Sequence, residues 1–197
     1  MGIQTTESKI HWNYFIALEQ DLETVSRYIE FSKHNFSVYS IELARLLFAA
    51  ASEVDVMAKL LCKRLQPTIG CDNINDYRRV LLEELPEIPT TEVFIGRYGF
   101  SFKPWENWNQ TSNRNPIWWN DYNKVKHQRD AYFSRATLKN ALNALGALLI
   151  LVYCHYSYEL ATNEGERLRP KETMRYLEPD STLLRLPDDY YHGHLLI

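Results

Sequence analysis

At 197 residues, with 45% hydrophobic and 24% charged side chains, the chain has the size and composition of one globular domain able to bury a core. A formal charge of −3 excludes the broad basic coat of a protein that binds nucleic acid nonspecifically, but it allows a local basic site. Cys62, Cys71 and Cys154 are odd in number and widely spaced, so neither a disulfide framework nor a Cys-x-x-Cys metal pair is indicated.

The amino terminus, Met1 to Lys9, is polar and has no apolar signal core, which makes the cytoplasm the expected location. Gly2 and Thr6 satisfy the loose acylation pattern M-G-x-x-x-S/T, a short and common match. Phe15, Leu18, Leu22, Val25 and Ile29 then recur at alternating steps of three and four, which predicts a helix from Ile10 to Ser32. Lys33, His34 and Asn35 break it.

A second helix is predicted from Val38 to Leu65, with Leu47, Ala51, Val54, Ala58, Leu61 and Leu65 as its apolar stripe. Its Ala49-Ala50-Ala51-Ser52 stretch is narrow enough for another helix to approach closely. Asp55 and Lys59 are spaced for an i,i+4 ion pair. Glu53 and Asp55 diverge around the helix and do not form a carboxylate pair. Glu53 is expected to reach a basic partner on another helix, such as Lys126 or Arg129. Pro67 and Gly70 end this element.

A third, shorter helix is predicted from Ile74 to Leu85 and stopped by Pro86 and Pro89. The stretch from Pro86 to Asn115 is irregular. Val93, Ile95 and Phe100, with Gly96 and Gly99 between them, predict a small hairpin. Trp105, Trp108, Asn109, Gln110, Asn113 and Asn115 follow as a loop of aromatics and amides. Trp105, Trp108, Trp118 and Trp119 either stack nucleic-acid bases or plug a core, and the second role is the commoner one.

The candidate site lies between Asn115 and about Asp130. Asn115 reads as a helix N-cap and Pro116 as the first helical residue. Asn120, Asn123, Lys124 and His127 fall at i, i+3, i+4 and i+7 and share one face. Trp118, Tyr122 and Val125 share another. RNA cleavage without a metal needs a base for the 2′-hydroxyl, a cation for the charge on phosphorus and an acid for the leaving oxygen. Imidazole titrates near neutrality, so His127 can serve as base or acid. Lys124 can neutralise charge and Asn123 can orient the phosphate. Asn120, Lys126, Arg129 and Arg114 are the candidate phosphate- or RNA-binding residues. The competing reading is a solvated face whose histidine only ends a helix.

The final long helix is predicted from Ser134 to Leu160. Its run from Ala144 to Cys154 is apolar on every side, which places it at the centre of the fold or under a second subunit. The run falls short of the ~18 apolar residues of a membrane span and is flanked by Asn143 and His155, so no membrane is expected. His155 and Tyr158 read as its polar end. Residues 1–160 thus form one helical domain. Residues 161–197 form a polar, Pro-broken extension whose apolar end, Tyr190 to Ile197, is expected to dock on the body or on a partner. His192 and His194 lack further ligands, and no metal or cofactor is expected. The chain has no phosphate-cradling glycine loop, nucleophile elbow or zinc-protease motif.

Four to five helices, a long irregular loop after the third, and a polar His-bearing helix leading into a long apolar final helix resemble the HEPN superfamily. The detailed likeness lies in Asn115 to Tyr158. The resemblance implies an all-α bundle and a homodimer paired through the last long helix. It also implies the activity of a metal-independent endoribonuclease from a toxin–antitoxin or phage-defence system, with RNA and an antitoxin-like protein as partners. His127 takes the position of the family's histidine. The arginine that the family places four to six residues before it is absent here, and Asn123 and Lys124 occupy that turn. A noncatalytic, dimeric helical interaction module is the alternative that fits the same bundle.

Overall fold

A computed structural model describes residues 8–109, 114–163 and 165–191. Gly2, Thr6, Gln110, Asn113, His192, His194 and the apolar end at Leu195, Leu196 and Ile197 lie outside the described residues. The structure is mostly helical, with one small two-stranded sheet. It is therefore all-α in bulk, with a hairpin added.

The centre of the fold is helix α6, Leu138–Glu159, started by Thr137, whose hydroxyl accepts from the Asn140 backbone N–H at 3.2 Å. Helix α2, Ile41–Leu65, begins at Ser40 with the same kind of cap and packs along α6 more extensively than any other pair of elements. Ala50 and Ala51 are fully buried, as the narrow stretch anticipated. Helix α1, Ile10–Val25, and helix α4, Ile117–His127, flank α2 and α6. Helix α3, Ile74–Glu84, packs on α2, where Tyr77 Oη donates to Asp55 Oδ1 at 2.8 Å. Lys59 donates to the other oxygen of Asp55 at 2.6 Å, the expected i,i+4 pair.

Strands β1, Val93–Ile95, and β2, Phe100–Phe102, form the expected antiparallel hairpin, with Val93 opposite Phe102 and Ile95 opposite Phe100. Gly99 takes a left-handed conformation, φ +66°, at its turn. The hairpin lies directly on α6. A Cβ on Gly146 would stand 2.7 Å from Cε2 of Phe102, so only glycine admits this approach.

Helix boundaries differ from the sequence reading at α1, at α2 and at α6, which starts at Leu138 rather than Ser134. Helix α1 ends at Val25, not Ser32. Ile29 and Phe31 still reach the core, but from a turn, and Phe31 packs against Tyr98 of the hairpin at 5.0 Å. Helix α2 starts at Ile41 rather than Val38 because Tyr39 forms a backbone bridge with Thr137, and the Val38 carbonyl accepts from Leu138. The four indoles, Trp105, Trp108, Trp118 and Trp119, are buried and pack on one another with neighbouring centroids 4.2–5.7 Å apart, so they plug the core.

Helix α6 is the central element, covered by its own chain. It is long and apolar enough to cross a membrane by length and composition, but 83% of its apolar window is buried inside this fold. Its neighbours within the chain are α1, α2, α4 and the hairpin.

The extension holds a helix not foreseen in the sequence, α7, Pro170–Tyr176, with Glu172 reaching back to the Arg169 backbone. It is strapped to α1 by one buried carboxylate. Glu19 accepts hydrogen bonds from the Ser181 hydroxyl and from the backbone N–H groups of Thr182 (3.0 Å), Leu183 (3.1 Å) and Leu184 (2.8 Å). Trp12 Nε1 donates to the Pro179 carbonyl at 3.0 Å. Arg185 exchanges backbone hydrogen bonds with Phe94. Arg167 pairs with Glu87 at 2.5 Å and donates to Ser157 at 3.0 Å.

Two outcomes follow from this packing. Glu19→Gln sets an NH2 group against backbone donors, so it is expected to cost about 2–4 kcal/mol in urea unfolding and to deprotect the amides of residues 182–184 in hydrogen exchange. His155 is held neutral mainly by burial, which lowers its pKa from 6.5 to about 4; His11 and Arg64 add to this and Glu159 opposes it. Between those two values the unfolded chain binds more protons than the folded one. Stability therefore falls as pH drops from about 6.5 to 4, by up to about 3 kcal/mol, and His155→Gln flattens that part of a measured pH–stability profile.

Candidate functional site

Helix α4 begins one residue later than its sequence suggests. Pro116 sits at the N-cap, φ −52°, ψ 140°, and not at the first helical position. Asn115 does not cap the helix; the Asn107 side chain accepts from the Ile117 N–H at 3.3 Å instead. Trp118, Trp119, Asp121, Tyr122 and Val125 face the core. Asp121 accepts from Asn140 at 2.9 Å, and the same amide donates to the Arg135 carbonyl at 2.8 Å. This buried contact fixes the rotation of α4 against the start of α6, and with it the face turned outward.

That outward face carries Asn120, Asn123, Lys124 and His127, as the spacing predicted, but it does not gather them into a cleft. Asn123 donates to the Trp119 carbonyl of its own helix at 3.0 Å, and Asn120 donates to the Asn115 carbonyl at 3.4 Å. The Lys124 ammonium lies 5.7 Å from the Tyr132 ring centroid. His127, the last helical residue, is exposed. Arg114 precedes the opposite end of the helix, about 16 Å away along an eleven-residue axis, so it cannot join His127 within one chain.

Lys126 and Arg129 part from this set. The helix breaks at Gln128, φ −143°, ψ 58°, and resumes as a single turn, α5, Arg129–Tyr132. The break carries Arg129 over Phe48 of α2, its guanidinium carbon 5.0 Å from the ring centroid. Lys126 lies 5.4 Å over the Tyr122 ring, and Tyr122 meets Phe48 edge-on at 5.8 Å. Two open hollows of about 830 and 530 Å3 adjoin here and share Arg45, Phe48 and Arg129 as walls. Tyr14 and Ser52 line one end, and Ile41, Phe133 and Asp130 the other. Arg45 is neutralised by Glu42 at 2.8 Å and Asp21 at 2.9 Å. Lys126 and Arg129 form no ion pair among the described residues. Glu53, expected to reach one of them, accepts instead from His11 at 2.6 Å.

The groove therefore holds two cations that lie over aromatic rings and form no ion pair among the described residues, with Asp130 at one end, an arrangement that can take a polyanion with flat groups attached. Sequence reasoning found its cations and missed its floor. Phe48, Tyr14 and Arg45 sit in ordinary amphipathic helices, and nothing local marks them as facing α4. Among the described residues no three histidine, cysteine, aspartate or glutamate side chains are grouped to hold a metal ion. No protein-family model, curated protein or solved structure matches this chain.

The two faces of α4 predict opposite responses. His127→Ala and Asn120→Ala are expected to change unfolding free energy by less than about 0.5 kcal/mol. Asp121→Ala, which leaves the buried Asn140 amide short of an acceptor, is expected to cost about 2–3 kcal/mol in the same denaturant titration.

Proposed function

We propose that this chain is an RNA-binding protein of HEPN-like architecture, with the groove between α2 and α4 as its binding surface. The observation that carries the reading is the pair Lys126 and Arg129, each over an aromatic ring at a shared hollow and neither in an ion pair among the described residues. A phosphate backbone supplies negative charge for these two cations, and Tyr14, 42% exposed, with the half-buried Phe48 offers surface for bases. The order of helices supports the HEPN likeness, with a His-bearing helix leading into the long final one. On that reading the chain is a component of a toxin or defence system. His127 would transfer the proton in cleavage, with Lys124 holding charge and Asn123 nearby. Its place on the outer face, one residue beyond the groove, makes strand binding the primary role and cleavage a separate property.

A second reading draws on Ile41, 76% exposed at the mouth of the same groove. An apolar side chain from a protein partner, antitoxin-like in the context of the first reading, would cover it, and the chain would then be a noncatalytic interaction module.

Fluorescence anisotropy with a labelled single-stranded RNA tests the proposal. The double variant Lys126→Ala, Arg129→Ala is expected to bind at least about tenfold more weakly than wild type, with a shallower dependence on salt. Equal binding by the two proteins, or no binding by wild type, would leave the interaction module as the better account. A parallel cleavage assay in chelator, with His127→Ala as the control, decides whether bound strand is cut.

A further inference from the structure

At the other end of α2 a second concavity, about 790 Å3, uses none of the groove's residues. The start of α1, the middle and end of α2 and the last turns of α6 meet around it. His11 Nδ1 and Glu53 Oε1 are 2.6 Å apart, with both side chains 16% exposed. A carboxylate can only accept, so the ring donates from Nδ1, and in the neutral imidazole Nε2 keeps its lone pair. The His155 ring meets His11 edge to face at 5.6 Å, and its own Nδ1 is buried without a hydrogen-bond partner.

The charges around the opening are unevenly matched. Glu159 is taken by Arg64, and Glu84 accepts from the Gln66 amide at 3.2 Å. The Lys63 ammonium, which also lines the cleft, has no ion-pair partner among the described residues. A cleft of this size can take a small molecule. An oriented histidine and an unmatched ammonium together describe a site for an anion that brings a transferable proton.

We propose that this cleft binds a small organic phosphate bearing a hydroxyl group, with His11 as general base, Lys63 holding the phosphate, and Glu53 as the residue that positions His11. In the proton transfer the substrate O–H bond breaks and its electron pair stays on oxygen. The new N–H bond forms at His11 Nε2, and the imidazolium charge lies against the Glu53 carboxylate. The reverse step returns the proton. The plainer role for His11 and Glu53 is a tie between α1 and α2, which would need no ligand and no free Lys63.

Imidazole NMR of the intact chain, titrated with inorganic phosphate, separates the two. Phosphate is expected to shift the His11 resonances saturably while leaving His127 unmoved, and Lys63→Ala, an exposed position, is expected to weaken that response at least about tenfold. Glu53→Gln is expected to redistribute the His11 tautomers while circular dichroism stays unchanged. The proposal is overturned if phosphate leaves His11 unmoved, if Lys63→Ala responds with wild-type affinity, or if wild-type His11 carries its neutral-form proton on Nε2. None of these results bears on RNA binding at Lys126 and Arg129, so the two readings stand or fall separately.

Discussion

A 22-residue helix with apolar side chains on every face must be covered on every face, and the rest of this chain is arranged around α6 for that purpose. Burying each of its large aliphatic side chains is worth about 1.5–3 kcal/mol, which works against the entropy lost in ordering the segments that lie on it. Helix α2 takes the longest contact and α1 and α4 the flanks. The hairpin takes the place where Gly146 lets a Phe102 ring come close. The cover is incomplete at the two ends, at Lys139 and Asn143 in the first turns and at His155, Tyr158 and Glu159 in the last.

The surface left over is what the chain has for function. Helix α2 buries one side against α6 and offers the other between α1 and α4, which cover it incompletely. One end of that outer strip carries Arg45 and Phe48 beneath the cations of α4. The other carries Lys63 and Arg64 beside the paired His11 and Glu53. Both sites therefore depend on the same packing constraint, although they use different side chains. The rotation of α4 is set from below, by Asp121 and Asn140, so the groove's cations are positioned by a contact they do not share.

What could be read from the sequence was local. The periodicities of α2, α3 and α6, the Asp55–Lys59 pair and the hairpin between Gly96 and Gly99 each depend on residues a few positions apart. The end of α1 was misplaced because Ile29 continues the apolar stripe although the chain has already turned, and Phe31 is held by a hairpin ring far along the sequence. Asn115 has the right chemistry for a cap, but Asn107 arrives from the preceding loop and takes the position. Glu19 looks like one more polar residue of an amphipathic helix, because its donors lie more than 160 positions away. The same limit applied to function. Lys126 and Arg129 were recognisable as cations, but Phe48 and Tyr14 were not recognisable as their neighbours, and His11 and Glu53 are 42 residues apart with no motif linking them.

The central claim is that one chain alone encloses α6. Native-state hydrogen exchange of the α6 amides, followed while the protein is diluted, tests it most directly. Protection in the middle of the helix should equal the free energy of global unfolding and should not change with protein concentration. Protection that falls on dilution would show that a second chain supplies part of the cover, and the enclosed single-chain core described here would be wrong.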